Sequence, residues 1–338
     1  MRIGLDVMGG DHAPQAIVEG AVTSVEFLSE DDELVLVGEQ ALVEDGVLQI
    51  KAAGGNASSI ITTQVIGMDE SPAKAVRGKP DSSIVVLARA ASKKADRRLD
   101  VILSAGNTGA KVAAAQMFMK RLPNVHRPGI AVTLPTFSGP VIIIDVGANI
   151  EPKPSHLAQY GIMGDVYARK IHGIEKPRIG LMNVGGEEAK GTADMKRARD
   201  MLRDAEGVDF IGYVEGRGVF DGEADVVITD GVVGNVMVKL AEGLAMGIFK
   251  AIAQEISQVD ASLAAQFNPI IKRIYSRHDY HDYGGAPLLG VNGVCLICHG
   301  SSQARTIANG IRAAREFVQS GVNDAIVEQL GAMEEVSV

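Results

Sequence analysis

Long apolar runs, clusters of basic residues and an N-terminal export signal are all absent from this sequence. No stretch approaches the ~20 uninterrupted apolar residues that a membrane-spanning helix needs. With a net charge of −9 and no block of Lys and Arg, the chain lacks the charge pattern that binds nucleic-acid phosphates, so we expect no nucleic-acid partner. The N-terminus passes from Met1-Arg2 directly into an apolar run without the succession typical of a signal peptide, which predicts a cytoplasmic protein.

Cysteine is scarce as well, with Cys295 and Cys298 as the two examples in the chain. Together with His299 they match the Cys-x-x-Cys-His pattern of haem attachment. However, they lie in the apolar run 293–298, and residues three apart on a strand point to opposite faces of the sheet. One haem, zinc ion or disulfide could not easily use both sulfurs there, so we interpret the pair as buried thiols.

What the chain does have is a large apolar fraction, 46% hydrophobic residues in a length of 338. Apolar runs alternate with helical patterns almost from end to end, and several runs, such as 140–146, are apolar throughout. Such runs are typical of strands covered on both faces, so we predict the α/β class with a mostly parallel, doubly wound sheet. The predicted strands lie near residues 2–7, 33–38, 59–65, 100–104, 129–134, 140–146, 178–184, 208–214, 224–229 and 293–298.

Small, glycine-rich turns follow four of these strands. They are Ser104-Ala-Gly-Asn-Thr-Gly-Ala110, Asp145-Val-Gly-Ala-Asn149, Asn183-Val-Gly-Gly-Glu-Glu-Ala-Lys-Gly191 and Asp230-Gly-Val-Val-Gly-Asn235. A turn of this kind that opens a helix leaves backbone N–H groups unpaired at the positive end of the helix dipole, where an anion binds. One such turn is weak support, but four predict a shared polar cleft along one edge of the sheet.

One region departs from the alternation of strands and helices. Between about 236 and 277 two helical stretches follow each other, which predicts a helical hairpin inserted into a single α/β domain over 1–338. Both arms carry apolar residues that must be buried. Packing between the arms and against a dimer partner accounts for most of them, and the alternative is contact of the hairpin tip, near Val259 and Leu263, with a membrane surface.

Polar side chains beside the glycine turns are the candidate functional residues. Each has a structural alternative, since His12 or Asp11 could cap the first helix and Asn107 or Asn235 could serve a turn. Taken together, cations and hydrogen-bond donors without an obvious covalent nucleophile indicate an anionic group handled by positioning and electrostatics. The candidates are Asp11, His12, Asn107, Thr108, Gly109, Asn149, Lys153, His156, Lys190, Asn235 and His299.

Long, collinear motifs give the chain a specific family resemblance. They are Asp6-Val-Met-Gly-Gly-Asp-His-Ala-Pro14, Ser71-Pro72 with Lys79-Pro-Asp-Ser-Ser83, Ser104–Ala110, Asp145–Asn149 with Lys153-Pro-Ser-His156, Gly212-Tyr-Val-Glu-Gly-Arg217, Asp230–Asn235, Tyr283-Gly-Gly-Ala-Pro-Leu-Leu-Gly290 and His299-Gly-Ser-Ser302. In these motifs the chain resembles the bacterial acyl-acyl-carrier-protein:phosphate acyltransferases of phospholipid synthesis.

The resemblance implies a Rossmann-like α/β/α sandwich similar to isocitrate and isopropylmalate dehydrogenases, built as a homodimer. It implies transfer of a long-chain acyl group from acyl-carrier protein to inorganic phosphate, with no cofactor. It also implies peripheral contact with the inner face of the cell membrane and a functional link to a membrane glycerol-3-phosphate acyltransferase, which consumes the acyl phosphate.

On this reading, phosphate binding falls to the Asn107-Thr108-Gly109 turn, Lys190 and Lys153. His12, Asn149 or Asn235 would then donate to the oxyanion or the leaving group. Two other classes of function stay open. A nicotinamide-dependent dehydrogenase shares the architecture, but no strand-to-helix turn carries Gly-x-Gly-x-x-Gly with an acidic residue about 20 positions on. A non-enzymatic acyl-binding or scaffold protein at the membrane is the other.

Overall fold

The strands of the protein follow the predicted apolar runs closely. The computed structural model describes residues 1–136, 138–259, 263, 265–267, 269–270, 273–274 and 283–336. Its strands are β1 (Arg2–Asp6), β2 (Glu33–Gly38), β3 (Asn56–Ile61), β4 (Val101–Ser104), β5 (Gly129–Thr136), β6 (Gly139–Ile144), β7 (Arg178–Met182), β8 (Asp209–Val214), β9 (Val226–Ile228), β10 (Ala286–Leu289) and β11 (Val294–Ile297).

The helices fill the intervals between the strands. They are α1 (Gln15–Ser24), α2 (Gln40–Ala52), α3 (Pro72–Gly78), α4 (Ser83–Ala90), α5 (Thr108–Ala114), α6 (Pro154–His172), α7 (Ala193–Arg203), α8 (Gly218–Asp221), α9 (Gly231–Val259), α10 (Ala304–Gln319) and α11 (Val322–Val336). A short 3₁₀ turn (Val25–Phe27) follows α1, and a π-helical segment (Ala115–Met119) continues α5.

In the described part of the chain, one sheet has eleven strands in the order β3-β2-β1-β4-β11-β10-β5-β6-β9-β7-β8. Its first parallel block is β3, β2, β1, β4 and β11, and its second parallel block is β6, β9, β7 and β8. The strands between the blocks pair antiparallel, β11 with β10, β10 with β5 and β5 with β6. Three successive reversals make the two blocks run in opposite directions.

Alternation of side chains along the strands gives each face of the sheet its own core. Leu34 and Leu36 of β2 pack on one face and Val35 and Val37 on the other, and all four are fully buried. The first face is covered by α1, α2, α6, α7, α10 and α11, and the second by α3, α4, α5, α8 and the beginning of α9. The α/β class and the helices on both faces are therefore confirmed, while the likeness to the two dehydrogenases stays a prediction.

The two cysteines also follow this alternation. Cys295 lies in the core of the second face and Cys298 in that of the first, and both are free buried thiols. Their predicted separation onto opposite faces is confirmed.

Helix α9 is the first arm of the predicted hairpin. Few of its residues are buried, and its exposed apolar side chains include Val236, Leu240, Leu244 and Ile248. By length and composition alone, Gly231–Gln258 could cross a membrane, although charged residues interrupt its apolar sequence. Of the second arm, residues 265–267, 269–270 and 273–274 are described and helical, whereas the turn at 260–262 lies outside the described residues.

Candidate functional site

A cavity of about 470 Å³ lies mainly on the second face of the sheet, between the middle strands and α9, and extends to the first turn of α10. We call it the central cavity. Polar residues from three strand-to-helix loops line it, and apolar residues of β5, β11 and α9 form much of its wall. The lining comprises Asp11, Met68, Thr108, Gly109, Ile130, Val132, Thr133, Val146, Gly147, Asn235, Val238, Lys239, Glu242, Tyr283, Gly285, Ala286, Ile297, Cys298, His299, Gly300, Ser302 and Thr306.

The two ends of the central cavity lie at opposite edges of the sheet. Thr108 and His299 follow the carboxyl ends of β4 and β11 in the first block, whereas Gly147 and Asn235 follow those of β6 and β9 in the second. The prediction that all four glycine turns share one edge is therefore wrong, because the two blocks run in opposite directions. The cavity crosses the face of the antiparallel strands between them.

The turn after β4 brings Thr108 and Gly109 to the cavity. Asn107 does not line it. Its Oδ1 accepts a hydrogen bond from the N–H of Ala110 (3.0 Å) and its Nδ2 donates to the carbonyls of Gly67, Met68 and Glu70 (3.0–3.2 Å). The buried Asn107 side chain thus caps α5 and holds the 67–70 loop beside the cavity.

A buried network under the same turn went unnoticed in the sequence. Ser104 Oγ donates to Asp6 Oδ2 (2.6 Å) and accepts from the N–H of Gly106 (3.0 Å). The Lys111 ammonium, 3% exposed, donates to the carbonyl oxygens of Ser104 (2.9 Å) and Cys298 (3.1 Å). Burial lowers the pKa of Lys111 to about 8. This lysine therefore ties the loops that follow β4 and β11, and a lone Lys within an apolar helical run was its one sequence signal.

The loop after β6 is held by a buried carboxylate. Asp145 accepts hydrogen bonds from the N–H groups of Ile130 (2.9 Å), Ala148 (3.1 Å) and Asn149 (2.6 Å), while burial raises its pKa. Asn149 Nδ2 donates to the carbonyl of Pro128 (2.7 Å) and to the Tyr160 hydroxyl (2.7 Å). Asn149 is not among the described residues that line the cavity, and its bonds instead fix the loop that presents Gly147.

Helix α9 starts against that loop. Asp230 Oδ1 caps it by accepting from the N–H groups of Val232 and Val233 (2.9 Å each), and the N–H of Gly231 donates to the carbonyl of Asn149 (2.8 Å). At Gly234 an added Cβ would lie 2.0 Å from the carbonyl oxygen of Asp145, so only glycine allows this approach. The first turns of α9 consequently point Asn235 and, further along, Lys239 and Glu242 into the central cavity.

The loops after β1 and β11 meet at the other end of the cavity. The N–H of Asp11 donates to the carbonyl of Gly300 (2.8 Å), and both residues line the cavity with His299. His299 Nδ1 lies 2.8 Å from the Ser301 hydroxyl. His12 is exposed and is not among the described residues of the lining.

Lys190, Lys153 and His156 lie outside the described lining of the cavity. Lys190 is exposed and forms an ion pair with Glu187, with Nζ and Oε2 2.7 Å apart. Lys153 and His156 begin α6, where the N–H of Lys153 donates to His156 Nδ1 (3.1 Å). Burial and then the neighbouring basic side chains, His126 first among them, lower the pKa of His156.

The two residues of the predicted membrane tip lie away from the cavity lining. Val259 is the last residue of α9, and its side chain is outside the described part of the chain. Leu263 is helical and half-buried. Within the described residues, no group of three or more His, Cys, Asp and Glu side chains could hold a metal ion.

Comparison with known proteins gives the same family as the motifs. Residues 1–325 match the family model described as "Fatty acid synthesis protein". The phosphate acyltransferase of Heliobacterium modesticaldum is 45% identical over 98% of this chain and 98% of its own, and that of Desulforamulus reducens is 42% identical over 98% and 97%.

Solved structures of similar fold are more distant in sequence. A phosphotransacetylase from Streptococcus pyogenes superposes with a TM-score of 0.59 at 16% identity, covering 94% of both chains. A branched-chain phosphotransacylase from Enterococcus faecalis V583 gives 0.53 at 12% identity, covering 94% of this chain and 100% of its own. At these identities the likeness establishes the fold.

Proposed function

Because the chain belongs to the phosphate acyltransferase family of fatty acid synthesis proteins, and is thus an acyltransferase, we propose that it transfers a long-chain acyl group from acyl-carrier protein to inorganic phosphate. The product is an acyl phosphate for phospholipid synthesis. The observation that carries this proposal is the central cavity, which combines an apolar wall with polar, glycine-rich loops in one space of about 470 Å³.

The apolar part of the cavity suits the acyl chain. Ile130, Val132, Val146, Val238 and Ile297 line it from β5, the loop after β6, α9 and β11. A volume of this size is in the usual range for small-molecule sites, which are mostly apolar with a few placed polar groups. Burying an acyl chain against such a wall gains roughly 0.8 kcal/mol for each methylene removed from water.

The polar loops suit the reacting groups. Inorganic phosphate, like a phosphomonoester whose second pKa is ~6, is largely dianionic at neutral pH and needs little help from a base. One of its oxygens attacks the thioester carbonyl carbon to give a tetrahedral oxyanion, the C–S bond then breaks, and the thiolate leaves and takes a proton. A thiol with a pKa of ~8.5 is a tolerable leaving group. The protein must position phosphate and stabilise the oxyanion with hydrogen bonds.

Of the candidate residues, Thr108, Gly109 and His299 hold phosphate or the carbonyl from the loop side, and Asn235 donates from α9. Their places in the cavity lining support these roles. Lys190 and Lys153 are separate proposals from the sequence for phosphate binding, and His12 and Asn149 for donation to the oxyanion or leaving group. Asn149 acts on the cavity through the loop that it fixes.

We further propose a cytoplasmic homodimer that touches the membrane surface and hands its product to a membrane glycerol-3-phosphate acyltransferase. The exposed apolar residues of α9, Leu240 and Leu244 among them, support a covering surface outside this subunit. A spanning role does not suit α9, because its Lys239 and Glu242 line the central cavity.

The test supplies purified protein with long-chain acyl-carrier protein and phosphate, and measures both free thiol and acyl phosphate. We expect release of thiol that depends on phosphate, that needs no NAD and that persists in a chelator. Thiol release without phosphate, or a requirement for NAD, would disprove phosphate acyl transfer. Loss of activity on chelation, restored by a divalent metal, would contradict the mechanism without metal.

A further inference from the structure

Ser302 carries a buried hydroxyl that the described structure leaves without a hydrogen-bond partner. The residue is 2% exposed, its Oγ has no partner, and it lines the central cavity. Leaving a buried hydroxyl without a partner is costly, and few native side chains stay in this condition. The cost points to a bound group that supplies the missing hydrogen bond.

The helix that follows adds a second reason to place an anion there. Ser302 is two residues before α10, a helix of 16 residues, and Thr306 of its first turn lines the same cavity. The preceding Gln303 makes no side-chain capping bond, and no acidic residue lies in the first turn. Helix N-termini attract anions through their N–H groups and dipole, and nothing negative within this turn offsets that attraction.

A carboxylate beside Gly300, two residues before Ser302, restricts which anion fits. Asp11 lines the cavity, and both its carboxylate oxygens lie within 3.3–3.4 Å of where a Cβ on Gly300 would be. An anion beside this carboxylate must bring a proton to share with it, since two bare anionic oxygens would repel each other. Hydrogen phosphate has that proton at neutral pH, whereas sulfate has none.

We propose that Ser302 Oγ, the N-terminus of α10 and Asp11 form the subsite that holds the attacking inorganic phosphate. This inference rests on the proposed phosphate acyl transfer and names where its nucleophile binds. The hydroxyl donates to one phosphate oxygen, and Asp11 accepts the P–OH proton. The bound phosphate then faces the apolar wall through its remaining oxygens, one of which attacks the thioester.

The variant Ser302→Ala tests the subsite, with Ser320→Ala as a matched control. Ser320 follows the last residue of α10, its hydroxyl donates to the carbonyl of Glu316 (2.8 Å), and it is not among the described lining residues. Without phosphate, Ser302→Ala should melt at or above the wild-type temperature, because it removes an unpaired buried hydroxyl. Inorganic phosphate should raise the melting temperature of wild type and Ser320→Ala by more than sulfate does, but that of Ser302→Ala only as much as sulfate does. Sulfate at equal ionic strength reports the unspecific salt effect and should raise all three alike.

Steady-state kinetics distinguish inorganic phosphate from the other phosphate group that reaches the protein, the phosphodiester on the arm of acyl-carrier protein. For Ser302→Ala we expect the KM for inorganic phosphate to rise about 10- to 100-fold, because one hydrogen bond to a charged group is lost. The KM for acyl-carrier protein should stay unchanged. A rise in the KM for acyl-carrier protein alone would assign the site to the phosphodiester of the carrier arm and overturn the inference. An unchanged phosphate response, or strong destabilisation without phosphate, would overturn it too. Wild-type protein that makes no acyl phosphate would instead disprove the proposed function.

Discussion

At the scale of single residues, Lys190 tests whether an exposed loop contributes to phosphate use. If it does, Lys190→Ala should lower kcat/KM for phosphate by about 10²–10³, the usual loss for one preorganised donor, and affect acyl-carrier protein far less. Lys196→Ala, on the following helix, removes the same charge and is the control. Wild-type kinetics at low phosphate would reduce Lys190 to the partner of Glu187 in a surface ion pair.

The cysteines make the opposite kind of prediction, because neither should matter for chemistry. Burial raises the pKa of Cys295 to about 12 and that of Cys298 to about 11, so both are protonated at neutral pH and are poor nucleophiles. Cys295→Ser and Cys298→Ser should therefore keep acyl transfer. Cys295→Ser should lower the free energy of unfolding by about 1–3 kcal/mol. Cys298→Ser should cost less, because its donor already reaches the Gly284 carbonyl (3.4 Å).

Two measurements check this pair. Denaturant unfolding gives the difference in stability between the variants. Mass spectrometry of the wild type during turnover looks for a covalent adduct, and an acyl-cysteine recovered there would refute direct attack by phosphate.

Lys111 links the site to the pH dependence of stability. Its pKa is lowered from 10.5 to about 8 by burial, so between these values the unfolded chain binds a proton that the folded chain does not. The free energy of unfolding due to Lys111 therefore rises with pH through that window, by at most about 1.4 kcal/mol per pH unit. Below pH 8 the buried charge is a fixed cost.

The variant Lys111→Met keeps the aliphatic chain and removes the titration. We expect the stability of wild type relative to this variant to increase as the pH is raised from 8 to 10.5, measured by denaturant unfolding. Titrating groups that do not interact with Lys111 are common to both proteins and cancel in the difference. A difference that does not vary with pH would mean that Lys111 titrates normally.

At the scale of elements, α9 and the hairpin to which it belongs carry the membrane prediction. Burial of one Leu or Val side chain is worth roughly 1.5–3 kcal/mol, so a few tip residues from each subunit of a dimer could attach the protein reversibly. Leu263→Glu should abolish co-flotation with anionic liposomes and leave acyl transfer in solution nearly intact. Gln258→Glu adds the same charge near the end of α9 without removing an apolar group, and should still float.

The oligomeric state and activity of Leu263→Glu in solution distinguish membrane contact from burial in the core or the dimer interface. If Leu263→Glu loses its dimer or its activity in solution, Leu263 belongs to the core or to the subunit interface. The membrane-tip hypothesis would then fail.

The element missed from the sequence was β10. Its segment Ala286-Pro-Leu-Leu289 is short, contains proline and follows two glycines, all of which argue against a strand in a sheet interior. It forms because Ala286 pairs with Ile297 of β11 and Leu288 with Ile130 of β5, partners distant in sequence. Apolar runs such as 141–144 in β6 could be predicted, because burial on both faces of the sheet requires an apolar side chain at each of these positions.

At the scale of the whole molecule, the sequence predicted the layers better than the directions of the strands. Periodicity identifies a strand covered on both faces, but it does not tell which way the strand points. Because the strand direction reverses at β10, β5 and β6, the loops after β4 and β9 lie at opposite ends of the strands of the sheet. No local sequence pattern encodes this reversal. The motifs still led to Thr108, Asn235 and His299, because glycine turns mark backbone that must approach something closely.

The site residues that escaped prediction are those whose role depends on burial. Lys111 reads as an ordinary helix residue and Ser302 as a loop serine until the fold encloses them. Asn107 is the opposite case. Its position in a glycine turn predicted a role in phosphate binding, whereas its side-chain amide forms hydrogen bonds within the protein. Sequence patterns thus locate polar loops, and packing decides which of their atoms face the cavity.

The pairing of β11 with β4 bears on how the protein is made. Val294–Ile297 completes a block whose other strands end by Ser104, so nearly two hundred residues separate them in order of synthesis. Until the late segment leaves the ribosome, the nascent N-terminal half displays the bare backbone edge of β4, whose four residues are all buried in the finished fold. Open apolar edges of this kind recruit other chains. If translation stalls before β11, the partial sheet of β1 to β4 should therefore aggregate unless chaperones bind it.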